Sequence, residues 1–312
     1  MTSTLNKPPL PDSELPTLTP AIVQRAREGW EAASDSRVRQ AIDRAFEKLQ
    51  ARVEGGSDGR VSGRIRQWAM RSFVRGLFRV RVENLERLPE EPFLLAANHL
   101  NHIDPLLLLA ELPTSPYTYI LGDARSLYNR RWKRFFLAIS QGVIPLYRRW
   151  KEELAVIEGA KSGREDLAEL AIEIERDVPD GKSIEMLRQI DRIAQSIFAD
   201  GDSLMLFPEG KLGSTEGELL PLKRGAVTYA LRSGVAIVPV ALVGTKHLYL
   251  RKELVVRIGE PLRFSPSKRP KASQVTAATV ALQQAIEDLL PQAYREPQKR
   301  QFLSEFLNRM FL

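Results

Sequence analysis

Residues 93–105 read FLLAANHLNHIDP, and this stretch decides how the rest of the chain is interpreted. Its first five residues form an apolar run that is short enough to be a buried strand. The polar residues from Asn98 onward form a loop, and Asp104 followed by Pro105 and leucines is typical of a helix start. The stretch therefore predicts a strand, a loop and a helix, with His99 and Asp104 at the two ends of the loop.

A loop of this length can fold back and bring the Asp104 carboxylate to the His99 imidazole. A histidine with one ring nitrogen held by a carboxylate keeps the other free to accept a proton. His99 is then a candidate general base for an alcohol, with Asp104 orienting it, and no Ser or Cys nucleophile is needed when the alcohol is itself the substrate. The chain has no Cys, which excludes a thiol mechanism.

Other interpretations of the same residues stay open. Asp104 could serve only as a helix N-cap, and His99 could be an ordinary turn histidine. His99, His102 and Asp104 also form a compact set of metal ligands. An HxxH pair binds metal best from one helix face, whereas this pair precedes the expected helix start, so we predict no metal site.

Composition indicates an anionic partner. The 312 residues are 43% hydrophobic, which supports a real core, and 46 Lys and Arg face 39 Asp and Glu, giving a net charge of +7. Such an excess favours a phosphorylated substrate, a lipid surface or nucleic acid. No nucleic-acid-binding motif accompanies the charge, so we predict no nucleic-acid partner.

The sequence gives no sign of a membrane-spanning or secreted protein. The N-terminal residues lack the apolar core of a signal peptide, and no segment offers eighteen uninterrupted apolar residues. We therefore expect a cytoplasmic protein, peripheral on the inner face of the membrane.

Apolar runs alternate with helical patterns from residue 80 onward. We predict strands at 80–83, 93–97, 117–121, 142–147, 203–207, 235–243 and 254–258, and helices at 104–112, 126–140, 183–200 and 223–233. This order predicts an α/β fold with a mainly parallel central sheet flanked by helices. Functional sites in such sheets form at the carboxyl ends of the strands, which is where His99 falls.

Four segments make up the predicted domain organisation. Residues 1–59 form an extension, disordered over 1–18 and helical after it, and 60–82 form a basic helix and an entry strand. Residues 83–265 form the catalytic domain, and 266–312 form C-terminal helices. An acidic helical insertion occupies 150–182 within the catalytic domain.

The stretch 60–81 carries seven arginines and no acidic residue, interleaved with apolar and aromatic side chains. A basic aromatic helix suits an anionic membrane surface. The predicted contact residues are Arg64, Trp68, Arg71, Phe73 and Arg75. A core-packing helix with a solvated basic face is the alternative. The last helix, ending FLSEFLNRMFL, also has an apolar face, which either packs on the N-terminal helices or docks on a membrane.

Two further strand ends carry charged residues. The strand from Gly142 ends in Arg148 and Arg149, and arginine suits bidentate phosphate recognition. The strand ending at Phe207 is followed by Pro208, Glu209, Gly210 and Lys211. Downstream, Lys223 and Arg224 lead into a helix whose N-terminus can add donors for an anion.

In this order, these motifs resemble the lysophospholipid and glycerol-phosphate acyltransferase family. Residues 98–104 match its NHxxxxD motif, and residues 142–148 match its GxIxxxR motif. Residues 207–210 match its FPEG motif, although Lys211 and Leu212 replace the usual Thr and Arg, and residues 238–240 match its VPV segment. The resemblance covers roughly 80–265.

The resemblance implies transfer of a fatty acyl group from acyl-CoA or acyl-carrier protein to a lipid hydroxyl, with no cofactor. It implies 1-acylglycerol-3-phosphate as the acceptor, or else glycerol 3-phosphate or another lipid hydroxyl. It makes His99 the base and Asp104 its partner, and it makes Arg148 the phosphate ligand. It places the following residues around the substrate: Asn98, Glu209, Gly210, Lys211, Lys223 and Arg224. A catalytically silent phospholipid-binding protein and a metal-dependent hydrolase are the rival functions.

Overall fold

The computed structural model describes residues 15–128, 133–134, 137, 142–181, 184–297 and 300–311. Most of the predicted disordered segment 1–18 and of the predicted helix 126–140 lies outside these residues. The described helices are α1 (Pro20–Ser34), α2 (Ser36–Val53), α3 (Gly63–Leu77), α4 (Asp104–Glu111), α5 (Ala124–Tyr128), α6 (Lys151–Lys161), α7 (Ala168–Asp177), α8 (Ile184–Ala199), α9 (Gly225–Ser233), α10 (Ala272–Glu287) and α11 (Ser304–Phe311).

A seven-stranded sheet forms the centre of the fold and confirms the predicted α/β class. Its strands are β1 (Arg79–Glu83), β2 (Phe93–Ala97), β3 (Thr118–Asp123), β4 (Val143–Leu146), β5 (Ser203–Leu206), β6 (Ala236–Val243) and β7 (Glu253–Ile258). The spatial order is β1-β7-β6-β2-β5-β3-β4. All neighbours are parallel except β6 and β7, so the carboxyl ends of β2 to β6 meet at one edge.

Strand β2 lies in the middle of the sheet because all of its residues are apolar and both of its faces are covered. Leu94 and Ala96 pack against α8, α9 and α10, whereas Leu95 and Ala97 pack against α3, α4 and α11. Successive side chains of a strand point to opposite faces, so one short apolar run supplies both cores. This burial fixes the position of the loop that follows β2.

Helix α1 and the predicted insertion pack together. Thr19 caps α1, its hydroxyl accepting from the Ile22 N–H at 3.3 Å. The insertion is helical, as predicted, and its helices α6 and α7 share an apolar cluster with α1 that includes Ala26, Val156 and Ile174. The division of the chain into domains stays a prediction.

Helix α3 combines the two alternatives that its sequence offered. Met70 and Val74 are fully buried in the core, while Ile65 and Trp68 are 57% and 72% exposed. The Phe73 side chain is half-buried and packs against the core and against Phe311 of α11, and its membrane contact stays a prediction. The inner face of α3 is therefore a core face, and only its outer face is available to a partner.

The arginines of α3 also differ from one another in burial and in their partners. Arg71 and Arg75 both pair with the buried carboxylate of Glu111, at 3.2 and 2.8 Å, so part of their charge is neutralised within the protein. Arg64 is exposed. Arg66 is buried and donates to the Thr118 carbonyl at 2.8 Å. None of the described helices is long and apolar enough to cross a bilayer.

Candidate active site

His99 and Asp104 are brought together at the carboxyl end of β2. The ring Nδ1 of His99 lies 2.8 Å from Asp104 Oδ2, and the His99 side chain is 16% exposed while Asp104 is fully buried. A carboxylate at Nδ1 favours the tautomer with the proton on Nδ1, which leaves Nε2 as the proton acceptor. The ring of Phe207 stacks on the imidazole with centroids 4.1 Å apart and fixes its plane.

Asp104 is not the N-cap of α4 but its first residue. Its Oδ2 accepts from the backbone N–H groups of Leu100 and Asn101, at 2.7 and 2.9 Å, in addition to facing His99. The carboxylate thus turns back into the loop instead of capping the helix. Three donors on one oxygen hold the loop in the tight form that places His99 against Asp104.

Glu209 fixes the loop from the other side. Its Oε1 accepts from the backbone N–H of His99 at 2.7 Å, and its Oε2 accepts from the backbone N–H of Leu220 at 2.9 Å. Burial raises the pKa of this carboxyl, and the two backbone donors oppose that rise. Glu209 is buried and both of its oxygens accept from backbone N–H groups, so in this structure it positions the loop. Its place beside the substrate stays a prediction.

Asn98, a predicted substrate residue, bonds to a neighbouring strand. Its side chain is fully buried and forms two hydrogen bonds with Leu242 of β6. Asn98 Oδ1 accepts from the Leu242 N–H at 2.6 Å, and Asn98 Nδ2 donates to the Leu242 carbonyl at 3.0 Å. The amide therefore continues the β2–β6 ladder by one residue. The motif asparagine locks the loop to the sheet, and both of its polar groups are used within the protein.

Arg148 reaches the same edge of the sheet from the end of β4. Its Nη2 donates to the Gly210 carbonyl at 2.7 Å, and its Nε donates to Asp123 at 3.1 Å. A guanidinium carries five N–H groups, of which these bonds use two. The side chain is 38% exposed, so an anion can reach it from solvent.

Lys223 lies next to the turn that Arg148 contacts. A Cβ added to Gly210 would lie 2.9 Å from the Lys223 ammonium, which shows how close the two residues are. Gly210 has a φ of +67°, a left-handed conformation that favours glycine. Arg148 and Lys223 therefore flank Gly210 with positive charge. Lys211 and Arg224 are exposed near the same turn and make no described contact with His99.

His102 does not join the pair. Its ring centroid is 6.2 Å from that of His99, and its backbone N–H points to the Phe311 carbonyl at 3.4 Å. Within the described ranges, no group of three or more His, Asp or Glu side chains is arranged to hold a metal ion.

Sequence reasoning missed Asp123 and Trp150. Asp123 Oδ2 accepts from Trp150 Nε1 at 3.0 Å as well as from Arg148. The signal that could have found Asp123 is its place at the carboxyl end of a parallel strand, two residues after the predicted strand 117–121.

Comparison with known proteins identifies the family of this chain. The family model described as Acyltransferase matches residues 79–243, which is more than half of the chain. The 1-acyl-sn-glycerol-3-phosphate acyltransferase of Bacillus subtilis is 26% identical over 215 residues, covering 67% of this chain and 87% of that protein. A protein of the same name from Cocos nucifera is 38% identical over 85 residues, 26% of this chain and 27% of its own length.

A solved structure is also similar. It is the 1-acyl-sn-glycerophosphate acyltransferase PlsC from Thermotoga maritima, with a TM-score of 0.43 and 17% identity, and the match covers 88% of this chain and 98% of that one. The family match includes His99, Asp104, Arg148 and Glu209. This chain therefore belongs to the acyltransferase family and is an O-acyltransferase.

Proposed function

We propose that this enzyme transfers a fatty acyl group from a thioester donor to the free hydroxyl of 1-acylglycerol-3-phosphate. The observation that carries the proposal is the 2.8 Å pairing of His99 with Asp104 beside two cations that flank Gly210. The pair supplies a base for a hydroxyl, and the cations suit a phosphate on the same molecule. The names of the curated relatives support the same acceptor.

In the proposed reaction, His99 Nε2 removes the proton of the acceptor hydroxyl while its oxygen attacks the thioester carbonyl carbon. The C–S bond then breaks, and the imidazolium returns the proton to the leaving thiolate, which departs as a free thiol. Asp104 stabilises the imidazolium between these steps. General-base catalysis of this kind contributes about a hundred- to ten-thousand-fold to the rate.

The acceptor phosphate binds Arg148, with Lys223 as the second cation. Lys211 and Arg224 provide further positive charge around the same turn. This arrangement compensates for Leu212, which stands where related proteins carry an arginine. The acyl donor is acyl-CoA or acyl-carrier protein, and the proposal requires no cofactor.

The acceptor is a lipid, so we propose that the enzyme docks on an anionic membrane through α3 and α11. Both helices pack on the same face of the sheet, and their outer sides expose Ile65, Trp68 and Phe306. Phe302, in the turn just before α11, is also exposed. The end of α11 contacts the active-site loop, since the Phe311 carbonyl accepts from His102. Arginines near an anionic leaflet add about 1 kcal/mol each, and apolar burial adds to that.

A panel of acceptors tests the proposal. Purified enzyme is incubated with an acyl donor, either acyl-CoA or acylated acyl-carrier protein. The acceptor is 1-acylglycerol-3-phosphate, glycerol 3-phosphate or monoacylglycerol. Products are identified by mass spectrometry. We expect turnover to be fastest with 1-acylglycerol-3-phosphate and to depend on His99. Faster turnover of glycerol 3-phosphate would reassign the acceptor. Tight lipid binding without turnover of any acceptor would favour a silent lipid-binding protein.

A further inference from the structure

We propose that α1 and the 150–182 insertion form a brace that positions Arg148 and so sets the preference for a phosphorylated acceptor. The Arg148 brace consists of α1, α6 and α7 together with the side chains of Asp123, Arg125, Trp150 and Glu153. The proposal rests on the proposed function, because it assumes that Arg148 binds the acceptor phosphate. It gives a role to two segments that the catalytic motifs leave unexplained.

Asp123 is the part of the brace that touches the guanidinium. Its Oδ2 accepts from Arg148 Nε at 3.1 Å and from Trp150 Nε1 at 3.0 Å, and its Oδ1 accepts from the Ser126 N–H at 2.9 Å. The carboxylate is thus held at three points, and only one of them is Arg148. A carboxylate fixed in this way selects one orientation of the guanidinium plane.

Arg125 holds the backbone of the same residue. Its Nη2 donates to the Arg148 carbonyl at 2.6 Å, and its guanidinium pairs with the fully buried Glu153. Glu153 Oε2 in turn accepts from the Trp150 N–H at 2.7 Å, and the Arg125 guanidinium lies over the Trp150 ring at 4.5 Å. Arg148 is therefore hydrogen-bonded at its carbonyl by Arg125 and at its side chain by Asp123.

Helix α1 closes this arrangement from outside. Arg125 Nη1 donates to the Gly29 carbonyl at 3.0 Å. A Cβ added to Gly29 would lie 2.5 Å from Glu153 Oε1 and 2.8 Å from Trp150 Cε3. Real Cβ atoms do not approach neighbours this closely, so any larger residue at Gly29 must displace Trp150 or Glu153.

The insertion is tied to the neighbouring residue of the same strand end. Arg149 donates to the Val178 carbonyl at 3.0 Å and to the Glu175 carbonyl at 3.1 Å. Trp30 of α1 donates to Asp177 at 3.0 Å, which joins α1 to the end of α7. Displacement of α1 or of the insertion is therefore transmitted to Asp123 and Trp150, and through them to Arg148.

The test uses three variants that disturb the brace at different points. Asp123→Ala removes the carboxylate, and Trp150→Phe removes the indole donor but keeps an aromatic ring. Gly29→Ala adds a methyl group on α1 that crowds Glu153 and Trp150. Gly76→Ala is the matched control, since a Cβ at Gly76 would meet no atom within 4 Å. Thermal unfolding shows which variants fold. If Asp123→Ala does not fold, Trp150→Phe and Gly29→Ala carry the test.

Steady-state kinetics with 1-acylglycerol-3-phosphate and with its dephosphorylated counterpart give the result. We expect each brace variant to raise KM for the phosphorylated acceptor about three- to tenfold, with kcat and the unphosphorylated acceptor little changed. In an Arg148→Ala background, the same variants should add no further loss, because they act through Arg148. Gly76→Ala should match the parent enzyme.

Two results overturn the brace and are distinguishable from failure of the proposed function. If Arg148→Ala raises KM for the phosphorylated acceptor but the brace variants do not, the brace alone is wrong. The brace alone is also wrong if its variants raise KM equally for both acceptors. It is likewise wrong if they raise KM for the phosphorylated acceptor further in the Arg148→Ala background. If Arg148→Ala itself leaves that KM unchanged, the phosphate assignment fails and the brace falls with it.

Discussion

Glu209 accepts a 2.7 Å hydrogen bond from the backbone N–H of His99, across 110 residues of sequence. Its second oxygen holds the Leu220 N–H, so one buried carboxylate joins the loop after β2 to the turn after β5. His99, the proposed base, is therefore positioned by its backbone through Glu209 and by its ring through Asp104.

The first prediction concerns the base. His99→Ala should lower kcat on the order of a hundred-fold or more, because the general base is lost, while His102→Ala should have a small effect. The two variants are compared in an acyl-transfer assay, and circular dichroism checks that both fold. An active His99→Ala enzyme beside an inactive His102→Ala enzyme would contradict the assignment.

The second prediction concerns the pH dependence of stability. Burial raises the pKa of Glu209 above its usual 4.5, so the folded state binds this proton more readily than the unfolded state does. The charged carboxylate therefore costs stability once the pH rises above the folded pKa, and the cost disappears as the pH falls toward 4.5. Glu209→Gln removes the titration.

Urea unfolding of both proteins between neutral pH and pH 4.5 measures this effect. The parent protein should gain stability relative to Glu209→Gln as the pH is lowered through that window. If the parent protein instead loses stability relative to Glu209→Gln as the pH is lowered, the backbone donors of His99 and Leu220 outweigh the effect of burial.

The third prediction concerns phosphate recognition. Arg148→Ala should raise KM for a phosphorylated acceptor about ten- to a hundred-fold, because a charge-assisted contact is lost, and should barely affect an unphosphorylated one. Arg263→Ala is the matched control, since Arg263 is largely exposed and pairs with Glu91 instead of Gly210. Equal loss on both acceptors after Arg148→Ala would indicate a structural role.

The fourth prediction concerns membrane docking. Liposome binding should strengthen with anionic lipid and weaken with salt. Replacing Ile65 and Trp68 by Ser should release the protein from liposomes with little change in stability, because both side chains are largely exposed. Turnover of water-soluble short-chain substrates should persist.

Phe302→Ser with Phe306→Ser gives the corresponding test of α11 and the turn that precedes it. Release by this pair but not by the α3 pair would place the anchor at α11 alone. If neither pair reduces sedimentation with anionic liposomes, the proposed docking face is wrong.

The sequence by itself determined the strands, the α/β class and the local placement of His99 and Asp104. The apolar runs 93–97 and 236–243 form strands that are buried on both faces. Such strands are recognised from their own residues, without knowledge of their partners in the sheet. His99 and Asp104 are five residues apart in one short loop, so their pairing depends on local geometry.

The tertiary structure decided which polar groups are used within the protein. Asn98 bonds Leu242, Glu209 bonds His99, and Asp123 bonds Arg148. Phe73 packs on the core, and Arg75 pairs with Glu111. Each of these contacts joins segments that are distant in the chain. A side chain's own sequence neighbourhood cannot specify such a partner, because the partner is set by how the sheet orders its strands and by which helices cover them.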